Sequence, residues 1–168
     1  MSWGDSFRRI EEETREKAEK TAGEKKKKEE ASQKIEVLRS SINARIDIGE
    51  MADAFMKVLP SSWERKVEND YCFYACCKSS DWKIYVYPCL KNISGKYQDH
   101  YQNINGRFFS PSPDDVTEKN TYIKVEKDHH NTADRWGGWP VYSKTISLKV
   151  VTKEKLAKTL VAAYMARI

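Results

Sequence analysis

Tyr71–Leu90 reads YCFYACCKSSDWKIYVYPCL, the most aromatic and least polar stretch of a very polar chain. Two runs rich in aromatic, Cys and β-branched residues flank Lys78-Ser79-Ser80-Asp81. That pattern predicts a β-hairpin with a short polar loop. In the first arm Tyr71, Phe73, Ala75 and Cys77 share one face, and Cys72, Tyr74 and Cys76 the other. In the second, Trp82, Ile84 and Val86 oppose Lys83, Tyr85 and Tyr87. One face is a core face. The other is aromatic as well, so we expect a helix to cover it. Pro88 is expected to end the second strand at Tyr87, because it cannot donate to a ladder.

Helices lie on both sides of the hairpin in sequence. Ile35, Leu38, Ile42, Ile46, Ala52, Phe55, Met56 and Leu59 recur at helical spacing, and Pro60 stops them. Gly49 is a place to divide this helix, with Asp47 capping the second piece. At the other end Thr152 caps KEKLAKTLVAAYMARI, where Leu156, Leu160, Tyr164 and Ile168 fall four apart with Val161 and Met165 beside them. Between hairpin and final helix, alternation predicts strands at Thr121–Lys127 and Val141–Val151. Asn105-Gly106 predicts a tight turn joining Tyr101–Ile104 to Arg107–Phe109. The fold class is therefore α+β: a mostly antiparallel sheet of about four or five strands, packed by helices.

Residues 1–32 form a separate unit, a long charged helical arm, with the α+β domain spanning residues 33–168. Glu11–Arg15, Glu13–Lys17, Glu16–Lys20, Glu24–Lys28 and Glu30–Lys34 are acid-before-base pairs four apart, each stabilising a helix by roughly 0.2–0.5 kcal/mol. Asp5 or Ser6 caps its start, and Gly23 is its weak joint. Trp3, Phe7 and Ile10 begin a heptad register that reaches Ala31, Ile35, Leu38 and Ile42. Between them the same register places Thr14, Lys17, Thr21, Glu24 and Lys28 on the seam. A seam that polar favours a solvated single helix, or partial disorder over Gly23–Glu30, above a coiled coil. The apolar tip nevertheless needs a surface to sit on: its own domain, a second copy or a partner.

Across 168 residues the hydrophobic share is 39%, the charged share 33% and the net charge +5. Residues 1–59 hold 13 bases and 13 acids, so the surplus belongs to the domain. Such a surplus permits contact with nucleic acid, acidic protein surfaces or anionic lipid and selects none of them. The opening MSWGDSFRRIEEE has no apolar leader and no run is long enough to span a bilayer, so a cytoplasmic protein without a membrane partner is expected. Cys72, Cys76, Cys77 and Cys89 are read as packed free thiols.

No catalytic constellation emerges, and no cofactor or metal is expected. Cys72 and Cys76 lack the second close pair of a zinc site. His100, His129 and His130 are read as solvent-facing loop residues. Asp128, His129, His130 and Asp134 are a weak divalent-metal cluster. Pro113-Asp114 with Glu126-Lys127 lacks the spacing of a metal-dependent nuclease. Two binding surfaces remain. Trp3, Phe7 and Ile10, with Trp136 and Trp139 around Gly137-Gly138, would contact another protein or protein complex. Tyr74, Tyr85 and Tyr87 with Lys78, Lys83 and Arg107 would stack bases and track phosphates. The leading expectation is a non-enzymatic protein-binding module: a regulator, adaptor or inhibitor of a larger protein, of the kind that phages and other mobile elements encode. A basic nucleic-acid-binding protein is the alternative, and a metal-dependent nuclease or other hydrolase the second. Homo-oligomerisation through the N-terminal helix is a further use of the arm.

Overall fold

The 71–90 stretch folds as a hairpin. Strand β2 (Phe73–Cys77) pairs antiparallel with β3 (Trp82–Lys91), with Phe73 opposite Val86 and Ala75 opposite Ile84. This computed structural model describes residues 2–66, 71–91, 101–104, 111–129 and 140–167, apart from the side chains of 101–103. Among them the sheet has six strands in the order β1-β2-β3-β5-β6, with β4 pairing the far end of β3. The others are β1 (Trp63–Lys66), β4 (Tyr101–Asn103), β5 (Thr121–His129) and β6 (Tyr142–Ser147), and every pairing is antiparallel.

Pro88 does not end β3. The strand continues to Lys91, with Pro88 opposite Ile123 of β5. On its other edge β2 pairs only as far as Val86 and β4 starts at Cys89. The Pro88 carbonyl accepts the Ile104 N–H at 3.3 Å on that edge. A residue's N and O point the same way in a strand, so the missing N–H faces the Ile104 carbonyl, which accepts from the Arg39 guanidinium at 2.7 Å instead; the β5 edge of the strand loses nothing.

The N-terminal helix α1 (Trp3–Ile46) is one continuous element of 44 residues. It begins earlier than Asp5. Ser2 is the N-cap, its hydroxyl accepting the Asp5 N–H at 3.2 Å while the Asp5 carboxylate accepts the Ser2 N–H at 3.3 Å, a reciprocal capping box. Gly23 does not break it; a cost of about 1 kcal/mol for a mid-helix glycine is too small to do so between helix-forming neighbours. The break comes at Asp47, whose φ of 38° ends α1 and whose carboxylate accepts the Glu50 N–H at 3.1 Å. Asp47 thus caps α2 (Ile48–Val58), and Gly49 lies inside that helix.

Both helices and α3 (Lys153–Met165) share one core with the Phe73 face of the sheet. Ile42, Ile46, Ile48, Ala52, Leu156 and Leu160 are buried against Phe73, Ala75, Ile84, Val86, Ile123 and Val125. Phe55 meets Phe73 edge-on at 5.8 Å, and Trp63 meets Tyr164 at 6.1 Å. Arg45 fixes the end of α1 by donating to the Leu148 carbonyl at 2.6 Å. β6 is shorter than its alternation suggests. After Ser147 the chain turns, the Ser147 carbonyl accepting from Val150 and Val151, and Val150 swings out to solvent. The Asn105-Gly106 turn and its second arm lie outside the described residues; Tyr101–Asn103 pairs with β3.

Candidate functional site

The first 28 residues of α1 bury nothing. Among the described residues the first buried side chain is Ala31, and every side chain from Phe7 to Glu30 is exposed. At about 1.5 Å per residue, Trp3 stands about 42 Å along the helix from Ala31. There Trp3, Phe7 and Ile10 are 82%, 65% and 53% exposed. The Trp3 and Phe7 rings lie 6.1 Å apart, so they form one apolar patch on one helix face. Trp136 and Trp139, read with them from the sequence, lie outside the described residues.

The second face of the sheet is a tyrosine face, and no helix covers it among the described residues. α1, α2 and α3 all pack on the Phe73 side, which corrects the expected helix cover. Cross-strand register sets its rows. Tyr74 stands opposite Tyr85, which stands opposite Glu126. Cys76, Lys83 and Asp128 form the next row, and Tyr87 faces Lys124. Tyr74 and Tyr85 stack with centroids 4.6 Å apart and planes 4° from parallel. Lys124 pairs with Glu126 at 2.8 Å. Burial, then the Glu126 charge, pushes the Tyr87 hydroxyl far above the ordinary tyrosine range. Burial and Glu126 likewise raise the Asp128 carboxyl.

Sequence reading placed Tyr74, Tyr85, Tyr87 and Lys83 together correctly but missed the acids among them. Glu126 and Asp128 interleave with Lys83 and Lys124, so the face is not a plain cationic track. The signal was present: β5 alternates Tyr122, Lys124, Glu126 and Asp128 with Ile123 and Val125. Lys78 lies just beyond the end of β2. It sits exposed in the hairpin turn, its N–H bonded to the Ser62 carbonyl. Arg107 lies outside the described residues.

The thiols differ. Cys89 is fully buried, and burial raises it to about 12. Cys77 closes the hairpin end. Burial alone would raise it, but hydrogen bonds from Ser79, Ser80 and Ser62 outweigh this and bring it down to about 7. His129 is not a loop residue: it ends β5, half-buried, with its ring 4.4 Å from that of Trp82. His100, His130 and Asp134 lie outside the described residues. Among the described residues no three His, Cys, Asp or Glu side chains converge on a metal-sized site, and no helix is long and apolar enough to cross a membrane.

An apolar groove of about 300 Å³ runs between α2 and α3, floored by Phe55, Leu156 and Leu160 and edged by Met51, Val58 and Val161. Sequence reading missed it, because Val161 reads as part of the apolar stripe of the last helix and is instead exposed.

Comparison with protein-family models, with curated proteins and with solved structures finds no match to this chain.

Proposed function

We propose that this chain is a non-enzymatic protein-binding module, a regulator, adaptor or inhibitor, whose binding element is the α1 arm. The observation that supports this reading is the position of Trp3, Phe7 and Ile10: an exposed aromatic patch about 42 Å along a solvated helix from the first buried side chain. Large aromatic residues supply much of the energy of protein interfaces. Exposed apolar patches on folded chains mark contacts with other molecules. A capping box holds the helix start, so the patch is presented in ordered form rather than frayed. Trp136 and Trp139 remain part of the reading as a second anchor.

The test is a photo-crosslinking residue at position 7 of the full chain, expressed in the source cells. An adduct with another protein chain, lost in Trp3→Ala/Ile10→Ala, supports the reading. Illumination that yields no protein adduct overturns it.

The stacked Tyr74–Tyr85 pair favours a second reading, binding of single-stranded nucleic acid on the sheet. Fluorescence anisotropy of labelled oligonucleotides across a salt series decides it. Phosphate contacts require affinity to fall steeply with salt. The interleaved Glu126 and Asp128 weigh against it.

A further inference from the structure

The arm's charges are sorted along its length. Residues 11–19 hold five acids and two bases, whereas residues 20–28 hold five bases and one acid. The ion pairs formed inside the arm are Arg9–Glu13, Arg15–Glu11 and Lys34–Glu30, all on exposed side chains. Among the described residues none of Lys25, Lys26, Lys27 and Lys28 has a carboxylate within ion-pair distance. Four consecutive lysines repel one another, and that repulsion is relieved by an acidic partner.

We propose that the arm's occupant is a second copy of this chain, with the two α1 arms lying side by side and antiparallel, centred near Glu19. The proposal rests on the arm being the binding element. Antiparallel alignment about that point sets Glu11 and Glu13 of each copy, which flank the seam, level with Lys27 and Lys25 of the other, while Glu12 and Lys26 lie level on the outer faces. A parallel pair would set acids against acids and lysines against lysines. Antiparallel packing also opposes the two helix dipoles.

The same alignment covers the apolar tip. Phe7 comes level with Ala31 of the second copy, and Trp3 with Ile35. That is the turn where α1 enters the domain. Ala31 and Ile35 are already buried in that copy's own core, so the tip meets the domain surface beside them and not these side chains. There Lys34 Nζ donates to the Pro113 carbonyl at 3.0 Å, and Pro113 lies buried in a 3-10 turn spanning Pro113–Asp115. Each tip thus reaches the Pro111–Pro113 ledge of the other copy. One arrangement places both features left bare in the single chain: the unpaired lysines and the exposed aromatics.

The middle of the seam is Thr14, Lys17, Thr21 and Glu24, so the pair is not a dry coiled coil. It is held by flanking charges and by its two ends, and it is therefore strongly salt-dependent. The Debye length falls from about 30 Å at 0.01 M to about 3 Å at 1 M.

Sedimentation of the full chain at low and high salt, joined to crosslink mapping, tests this. At low salt the mass is expected to be twice the 19.6 kDa of one chain, reverting to 19.6 kDa at high salt. Glu11→Lys/Glu12→Lys/Glu13→Lys is monomeric at low salt, and so is Lys25→Glu/Lys26→Glu/Lys27→Glu. An equimolar mixture of the two associates. None of these positions is buried, so each variant folds, which circular dichroism checks. A photo-crosslinker at position 7 marks residues 28–37 of the second copy. A monomer at low salt overturns the proposal. So do adducts at residues 3–11, which mean parallel arms, and adducts in the α2–α3 groove. If self-association fails while position 7 still captures a different protein in the source cells, the protein-binding reading stands and only its occupant changes. If the arms pair and no other protein is captured, the proposal stands and the arm is a dimerisation device alone.

Discussion

Lys127 Nζ lies 2.6 Å from the carbonyl oxygen of Ala166, just past the end of α3, and 2.7 Å from that of Tyr164 in its last turn. The side chain is 1% exposed, in the inward phase of β5 beside Ile123 and Val125, and its ammonium sits 4.3 Å from the centre of the Trp82 ring. A strand side chain thus caps the C-terminus of a helix, where carbonyls lack intrahelical partners and the dipole favours a cation. This contact fixes α3 to the sheet.

Burial, with Arg167 adding, pulls the Lys127 pKa from 10.5 down to about 8. Between about 8 and 10.5 the unfolded chain therefore holds more protons than the folded one, and unfolding free energy rises with pH through this group. Urea unfolding from pH 7.5 to 9.5, below the tyrosine range, is expected to show the rise. Lys127→Met removes it and strands the two carbonyls, costing about 1–3 kcal/mol. A Lys127→Met variant with the wild-type pH slope would refute the assignment.

The thiols give a chemical test of the hairpin end. A thiolate is the reactive form, so Cys77, near 7, is expected to be alkylated by iodoacetamide at neutral pH. Cys89, near 12 and fully buried, should react only after unfolding. Peptide mapping after brief alkylation reads both. Ser79→Ala should slow the Cys77 reaction by removing the 3.4 Å Ser79 contact. Equal labelling of Cys77 and Cys89 in the folded protein would contradict this account.

Asp47 does two jobs that different substitutions separate. Its φ of 38° suits glycine, while its carboxylate caps α2. Asp47→Gly keeps the backbone at ease and loses the cap, a cost of a few tenths of a kcal/mol. Asp47→Ala loses the cap and strains the left-handed conformation, about 1–2 kcal/mol for each effect. Chemical denaturation should therefore rank wild type and Asp47→Gly close together, with Asp47→Ala well below.

Much of the fold is legible where a period is uninterrupted. The 2-residue alternation of Phe73, Ala75, Ile84 and Val86 and the helical stripe from Ile35 to Ile46 each specify one face. Misreadings fall where a residue type's usual effect is cancelled by its neighbourhood. Pro88 costs one bond at the end of the β3–β4 ladder, where Arg39 takes up the Ile104 carbonyl, and Gly23 weakens a helix whose flanks are strong helix formers. Lys127 was invisible for the opposite reason: a charged residue in the inward phase reads as surface until a helix end is found to receive it. The arm tip was legible because nothing near it in sequence could cover it. The acids of the tyrosine face were written in the alternation of β5, and were overlooked for want of its pairing with β3.

Gly23 gives an independent reading of the arm. A Cβ built there meets nothing within 4 Å, and the backbone is helical. Gly23→Ala should therefore raise helix stability by about 0.5–1 kcal/mol without a clash. Helical ellipticity on mild heating should be better retained, while the melting of the core stays fixed.

Deleting residues 2–28 is the larger version of that experiment. It removes no buried side chain among the described residues, since burial begins at Ala31. The capping box is lost, but the new helix start is still held by Lys34 on the Pro113 carbonyl and by Arg39 on the Ile104 carbonyl. Surface changes away from core, caps and buried polar groups fall within about ±0.5 kcal/mol. The truncated chain should therefore keep the denaturation midpoint of the full chain and lose a large part of its helical signal. A midpoint that falls with the deletion would mean that Trp3, Phe7 and Ile10 cover part of a folded core, and the arm would no longer be a separable binding element.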